Sequence, residues 1–193
     1  MPGAQRALAP QAISQGDRAY PRDLIQRLGA DAPKTLTVAG SPAPLFAPMT
    51  AFLCSKETPG ATILKAFDQA AAWRDAAACV ISGFHSPLEQ QCLDILLRGK
   101  QPVVMVLARG LGAVRLPAAQ RKALDEGRLT IISPFLVTEK RVSADLARQR
   151  NRFAAALAGE VVFGFVAPGG SLALLRDEIR CWDIRTRELH AEG

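Results

Sequence analysis

The sequence predicts an α/β fold: a Rossmann-like, doubly wound, mostly parallel sheet with helices on both faces. Between residues 51 and 182, short apolar segments alternate with amphipathic segments five times, which is typical of parallel strands joined by helical crossovers. The segment 102–108 shows no alternation of polar and apolar residues, as expected for a strand that is buried on both faces. Because such crossovers are almost always right-handed, we expect helices on both sides of the sheet.

Residues 1–48 are predicted to form an N-terminal appendage, and residues 49–193 the Rossmann-like domain. Residues 1–18 are polar and contain proline, so we expect them to fray. A short helix is predicted after Tyr20 and Pro21, ending at Gly29. Residues 34–39 indicate a short strand, and residues 40–48 hold three prolines, which favours a linker or an irregular turn.

The domain that begins at residue 49 is predicted to contain five strands and five helices in alternation. Helix 143–157 carries Leu146, Phe153 and Leu157 on one face, the spacing of an amphipathic helix. Gly127 and Gly159 each follow a predicted helix, where glycine commonly ends one. The predicted strands are 51–55, 77–82, 102–108, 129–133 and 161–167, and the predicted helices are 60–73, 86–97, 117–126, 143–157 and 171–182.

The charge of the chain indicates a polyanionic partner. Of the 193 residues, 49% are hydrophobic, and the formal net charge is +6. Seven lysines and arginines lie between residues 98 and 128, against two acidic residues in the same segment. A basic excess favours nucleic acid or a nucleotide as partner, although basic residues on a solvated surface would give the same composition.

Other features of the sequence exclude several classes of protein. No two of the four cysteines lie within three residues of each other, and the chain has only two histidines, so no metal site is predicted. No secretory signal is recognisable, and the apolar runs are too short to cross a bilayer. We therefore expect a cytoplasmic protein that has reduced thiols, needs no cofactor and has no membrane partner.

Three predicted junctions between a strand and the following helix carry residues suited to binding phosphate. Parallel strands end at one edge of the sheet, where ligands bind in this class of fold. Ser86, Pro87 and Glu89 have the pattern of a capping box at a helix start, and helix starts attract anions. The first junction holds Ser55 and Lys56. The second holds Ser82, Gly83, His85 and Ser86, and the third holds Gly169, Gly170 and Ser171. Together these nine residues predict an anion or phosphate crevice.

A basic helical segment is the second candidate for contact with nucleic acid. Arg148, Arg150, Asn151 and Arg152 follow one another closely on helix 143–157, and arginine suits bidentate contact with phosphate. A basic helix that merely faces solvent is the alternative. No Walker loop, HExxH, GxSxG or nucleophile–base pair is present, so no catalytic residue is predicted.

Six segments occur in the order and spacing of motifs of the DNA-processing protein A (DprA/Smf) family. They are YPRDLIQRL from residue 20, CSKETPG from 54, SGFHSPLEQ from 82, ARGL from 108, RNRFAAALAG from 150 and GGSLAL from 169. The sequence resembles in particular a short branch of this family without a winged-helix tail. Among the departures, Lys56 stands where the family has arginine, Cys54 stands where it has glycine, and the Arg, Gly and Asp of its SGxARGxD motif are absent.

The resemblance implies a Rossmann fold and a recombination mediator that binds single-stranded DNA. It also implies ligand contact for particular residues of this chain: Ser55, Lys56, Ser82, Gly83, Arg150, Asn151, Arg152, Gly170 and Ser171. The sequence leaves a homodimer open.

Two alternatives without a DNA role remain at this point. The segment 168–170 also resembles the PGG of the lysine-decarboxylase-like LOG family of phosphoribohydrolases. However, Leu172 stands where that motif has its next glycine and Arg176 where it has the catalytic glutamate, so we expect no hydrolysis of nucleoside monophosphates. The other alternative is a nucleotide sensor or an interaction scaffold.

Overall fold

The predicted α/β class is confirmed by a computed structural model, which describes residues 10–112 and 115–189. Within these ranges, eight strands form a single mixed sheet, mostly parallel, and six helices flank it. The strands are β1 (Gln11–Ser14), β2 (Thr35–Ala39), β3 (Met49–Leu53), β4 (Cys79–Ser82), β5 (Val103–Val106), β6 (Leu129–Ser133), β7 (Glu160–Phe163) and β8 (Arg185–Glu188). The helices are α1 (Arg22–Leu28), α2 (Gly60–Asp75), α3 (Pro87–Leu96), α4 (Ala118–Asp125), α5 (Ala144–Leu157) and α6 (Ser171–Ile179).

The order of the strands makes β3 the point at which the winding reverses. Across the sheet the order is β1-β2-β6-β5-β4-β3-β7-β8. The chain moves from β3 through β4 and β5 to β6 in one direction, and α5 then returns it to β7 on the other side of β3. Ligands in such sheets bind beyond the carboxyl ends of the strands at this switch point, here between β3 and β7.

Helices cover both faces of the sheet, and each face has its own apolar cluster. Leu24 of α1, Phe153 of α5 and Leu175 of α6 belong to one cluster. Ala66 of α2 and Leu93 of α3 belong to the other, together with residues of α4. This arrangement confirms the prediction of helices on both sides. Within the described ranges, no helix is long and apolar enough to cross a membrane.

Two edge strands were not predicted from the sequence. β1 lies in the stretch that was expected to fray, and it pairs antiparallel with β2, which itself pairs antiparallel with β6. β8 follows the last predicted helix and pairs parallel with β7. Both β1 and β2 are therefore part of the sheet, and Ile13 and Leu36 are buried in its core. The domain boundary at residue 48 stays a prediction.

The bounds of β7 also differ from the sequence-based expectation in a way that shapes the site. A strand was predicted for 161–167, but β7 ends at Phe163. Residues 164–170 instead form a loop in which the Ala167 amide donates to the Ser55 hydroxyl oxygen at 3.0 Å. This loop is one wall of the crevice described below.

Replacing Arg27 by alanine is expected to destabilise the protein by about 1–2 kcal/mol, because the guanidinium caps the carboxyl end of α5. Arg27 Nη1 donates to the carbonyl oxygens of Ala156 at 2.9 Å and Ala158 at 2.6 Å. Denaturant unfolding monitored by circular dichroism measures the change. Arg22→Ala, an exposed site on the same helix, is the control. Equal stability of the two variants would show that the cap contributes nothing.

Candidate functional site

A cavity of about 440 Å³ lies at the carboxyl edge of the sheet, at the switch point between β3 and β7. Its walls are the loops that follow β3, β4 and β7, together with one face of α5. The lining residues are Cys54, Ser55, Lys56, Glu57, His85, Ser86, Pro87, Glu89, Arg150, Asn151, Ala167, Gly170, Ser171 and Leu172. We call this cavity the crevice.

The capping box predicted at the start of α3 is present. The Ser86 hydroxyl accepts a hydrogen bond from the Glu89 amide at 3.3 Å, and the Glu89 carboxylate accepts from the Ser86 amide at 3.2 Å. Glu89 Oε2 also accepts from the His85 amide at 2.9 Å. The amides of His85 and Ser86, which were expected to bind an external anion, therefore donate to the carboxylate of Glu89 instead.

Glu89 also joins two neighbouring junctions, a role that was not predicted from the sequence. Its Oε1 accepts a hydrogen bond from the amide of Cys54, at the end of β3, at 3.0 Å. The side chain is only 2% exposed. Burial raises the pKa of the Glu89 carboxyl, while the charge of Arg150 and three backbone N–H donors act in the opposite direction. The carboxylate is therefore a structural element that holds the loops after β3 and β4 together.

Arg150 is a buried cation at the floor of the crevice. It is 5% exposed, and its guanidinium packs so closely on Gly83 that a Cβ there would lie 2.4 Å from Cζ. Arg150 Nε donates to Asn151 Oδ1 at 3.0 Å. Burial lowers the pKa of the Arg150 guanidinium, and the negative charge of Glu89 acts in the opposite direction. Arg150 is nevertheless a cation, because a guanidinium stays protonated in proteins.

The terminal nitrogens of Arg150 have no hydrogen-bond partner among the described residues, and its guanidinium forms no ion pair within those residues. These nitrogens are not among the fully buried side-chain atoms that lack a partner, so solvent reaches them from the crevice that Arg150 lines. The N–H groups on the two terminal nitrogens of Arg150 are therefore available to an oxyanion that enters the crevice.

The loop that follows β7 leads into α6, and no side chain caps the start of this helix. Gly170 is the N-cap of α6, and no side chain bonds to the first amides of this helix. Gly169, with φ of +69°, provides the left-handed turn before it, a conformation that favours glycine. Ser171 is exposed at this helix start and lines the crevice. Uncapped amides at a helix start favour an anion.

At the rim of the crevice, Lys56 and His85 are exposed, as is Glu57. Ser55 is tied into the wall, because its hydroxyl accepts from the Ala167 amide. The side chains of the crevice therefore combine two cations, Lys56 and Arg150, with two carboxylates. One of these carboxylates, that of Glu89, is already taken up by backbone donors.

Of the nine residues predicted for the phosphate crevice, the structure brings six together. Ser55, Lys56, His85, Ser86, Gly170 and Ser171 line one cavity. Ser82, Gly83 and Gly169 are not lining residues; Ser82 is fully buried, and its hydroxyl accepts from the Phe84 amide at 3.2 Å. The start of α2 at Gly60 also lies outside the crevice lining. Two of the three predicted helix starts therefore meet there.

The four residues predicted for nucleic-acid contact on α5 are divided between two environments. Arg150 and Asn151 line the crevice, whereas Arg148 and Arg152 do not. Arg148 pairs with Asp145 on its own helix. Arg152 bonds to Glu178 of α6 through Nε at 2.6 Å, and to Asp31 through Nη1 at 2.9 Å. Both outer arginines are thus engaged with carboxylates.

The basic residues of the segment 98–128 do not form one surface at the crevice. Arg98 and Arg128 lie before β5 and β6, at the amino edge of the sheet, and Arg128 bonds to Glu126 at 2.6 Å. Arg109 follows β5, at the carboxyl edge. None of the bases in the described part of this segment lines the crevice, so the local excess of charge is spread over two edges.

The residues on which the rival enzyme motif depends have other roles in the structure. Arg176, at the position of the catalytic glutamate in that motif, bonds to Glu188 of β8 at 2.7 Å.

Among the described residues, no group of three or more His, Cys, Asp or Glu could hold a metal ion. Burial raises the pKa of Cys79 and of Cys92 to about 12 and also raises that of Cys54, which disfavours the thiolate form.

Comparison with known proteins identifies the family. A sequence profile described as DNA recombination-mediator protein A matches residues 11–174. DNA processing protein A (DprA) of Streptococcus pneumoniae has a similar structure, with a TM-score of 0.77 and 18% identity over 95% of this chain and 63% of that one. The chain thus spans less than two thirds of the pneumococcal protein. No curated protein matches the chain by sequence.

Two further structures share the fold. DNA processing protein A of Helicobacter pylori, whose structure concerns its single-stranded DNA binding mode, has a TM-score of 0.72 and 15% identity over 94% of this chain and 80% of that one. The Moco Carrier Protein of Chlamydomonas reinhardtii has a TM-score of 0.50 and 13% identity, over 73% and 74% of the two chains. These similarities concern the fold, while the profile covers most of the sequence and confirms the resemblance inferred from the motifs. This protein belongs to the DNA recombination-mediator protein A family.

Proposed function

We propose that this protein is a recombination mediator that binds single-stranded DNA through its phosphates, in the crevice at the carboxyl edge of the sheet. The observation that carries the proposal is Arg150, a buried guanidinium whose terminal nitrogens are unpartnered among the described residues and which lines the cavity between three loops. Lys56 at the rim adds a second cation. Membership of the family and the structural similarity to the Helicobacter pylori protein support this choice of ligand.

The proposed contact is with the phosphates and not with the bases. Arginine offers planar, paired donors that match phosphate oxygens, and the uncapped start of α6 adds amide donors beside it. Among the described residues, no Phe, Tyr or Trp lines the crevice, and the imidazole of His85 at its rim is the one aromatic ring in the lining, so stacking of bases contributes little. Binding in this crevice is therefore independent of base sequence, and its affinity falls as the salt concentration rises.

Lys56→Ala is expected to weaken binding of a labelled single-stranded oligonucleotide about fivefold at low salt and to reduce the slope of log K against log salt by about 1, because one phosphate contact is lost. Fluorescence anisotropy at several salt concentrations measures both quantities. Arg180→Ala is the control, since Arg180 is an exposed base at the opposite end of α6.

Three outcomes of that titration separate the candidate functions. Weaker binding by Lys56→Ala and unchanged binding by Arg180→Ala support the crevice as the site. Equal weakening by both variants would mean that DNA is held by general surface charge. If wild type binds no oligonucleotide at low salt but does bind a mononucleotide, the DNA function is wrong and the protein is a nucleotide sensor.

A further inference from the structure

We infer that the crevice recognises a terminal phosphate, a phosphomonoester at the end of a strand or on a free nucleotide, in preference to the phosphodiesters in the interior of a strand. This inference rests on the proposed function, because it assumes that phosphate binds in the crevice. It adds the chemical class of the phosphate that fits there.

The enclosure of Arg150 is the first argument. The guanidinium is almost fully buried and is surrounded by three loops and by α5, its own helix. A phosphate that reaches its terminal nitrogens must enter from the rim. A phosphomonoester has one ester bond and can enter with its three free oxygens leading. An interior phosphodiester has a sugar on each side, and both sugars would have to enter with it.

The size of the cavity is consistent with a single end group. Its volume is about 440 Å³, within the range of roughly 300–1,000 Å³ that is typical of small-molecule sites. Sites that follow a strand of several nucleotides are open grooves that track the backbone. The crevice is open at its rim, and its volume gives room for about one nucleotide at a strand end.

The donors of the crevice also favour an end group. A phosphomonoester has three free oxygens and a charge of about −1.5 to −2 at pH 7, so it can accept from Arg150 and Lys56 at once, although the carboxylates of Glu57 and Glu89 oppose its second charge. Glu89 already occupies donors at the start of α3. An incoming anion is therefore directed towards Arg150 and the uncapped start of α6.

The surface next to the crevice provides no series of free arginines along which a strand could continue. Arg148 and Arg152, the neighbouring bases on α5, pair with Asp145 and with Asp31 and Glu178 respectively. To bind the next phosphates of a strand, Arg148 and Arg152 would have to share their N–H donors with these carboxylates or exchange them. One phosphate in the crevice therefore costs less than a run of phosphates along α5.

The test uses the full chain and one oligonucleotide sequence, labelled internally, in three forms: with a 5′-phosphate, with a 3′-phosphate and with hydroxyl groups at both ends. We expect at least one phosphorylated form to bind about tenfold or more tightly than the hydroxyl form, since charge-assisted bonds to Arg150 are gained. Treating that form with phosphatase should remove the gain. AMP, as an unlabelled competitor, distinguishes a free nucleotide from a strand end.

Each outcome has a defined meaning. Equal affinity of all three oligonucleotides would overturn the inference and leave the proposed function intact. Absence of binding by every oligonucleotide and by AMP would overturn both. Arg150→Lys keeps the charge but loses the paired donors, so it should reduce the preference for a terminal phosphate. If that variant does not fold, the phosphatase comparison on wild type still decides the question.

Discussion

Gly83→Ala is expected to weaken phosphate binding about ten- to hundredfold while the protein stays folded. A Cβ at this position would lie 2.4 Å from both Cζ and Nε of Arg150, a distance that non-bonded atoms do not tolerate. The neighbour that must move is the end of a side chain and not backbone, so the fold can adapt while the guanidinium leaves the floor of the crevice. Loss of one or two charge-assisted hydrogen bonds accounts for the size of the effect.

Oligonucleotide anisotropy measures the loss of binding by Gly83→Ala, and thermal unfolding shows whether the variant is folded. Gly60→Ala is the matched control, because Gly60 also lies at a strand-to-helix junction but has open space where a Cβ would be. We expect this control to bind like wild type. Wild-type affinity of a folded Gly83→Ala protein would show that Arg150 does not contact the ligand.

Glu89→Ala is expected to have the largest effect on stability, a loss of about 3–5 kcal/mol. The change leaves the amides of Cys54, His85 and Ser86 without their acceptor and removes the nearby negative charge that balances Arg150. Glu89→Gln should fall between this variant and wild type, because a carboxamide has one acceptor oxygen where the carboxylate has two. Denaturant unfolding measures all three proteins.

Asp94→Ala is the control for Glu89→Ala, since Asp94 is an exposed acid on the same helix. A surface change of this kind is expected to alter the free energy of unfolding by no more than about 0.5 kcal/mol. If Glu89→Ala and Asp94→Ala are equally stable, the carboxylate of Glu89 does not hold the two loops together.

Much of the fold could be predicted because the apolar pattern repeats along the chain. The central strands β3 to β7 are short apolar segments between amphipathic ones, so their order along the chain also indicated parallel pairing. The edge strands β1 and β8 carry no such pattern: β8 has the sequence RTRE. They are strands because a neighbouring strand offers hydrogen bonds to their backbone, which a local sequence pattern does not reveal.

The burial of Arg150 was missed although the sequence contained a signal for it. Arg150 follows Leu146 by four residues and precedes Phe153 by three, so helical spacing places it on the same face as these apolar residues. Its charge and its basic neighbours favoured a surface position instead. The structure accommodates the charge because Gly83 provides space against the guanidinium and Glu89 provides an opposite charge nearby.

By itself, the sequence determined the alternation of strands and helices, the edge at which the junctions meet and the capping box of α3, since these depend on local spacing and on the geometry of parallel sheets. Only the tertiary structure decided which charges remain free for a ligand. Arg152 is neutralised by Asp31, 121 residues away along the chain. The carboxylate of Glu89, on α3, accepts a hydrogen bond from the amide of Cys54, which follows β3. Such pairings depend on which strands and helices become neighbours, and strand order is a property of the whole fold.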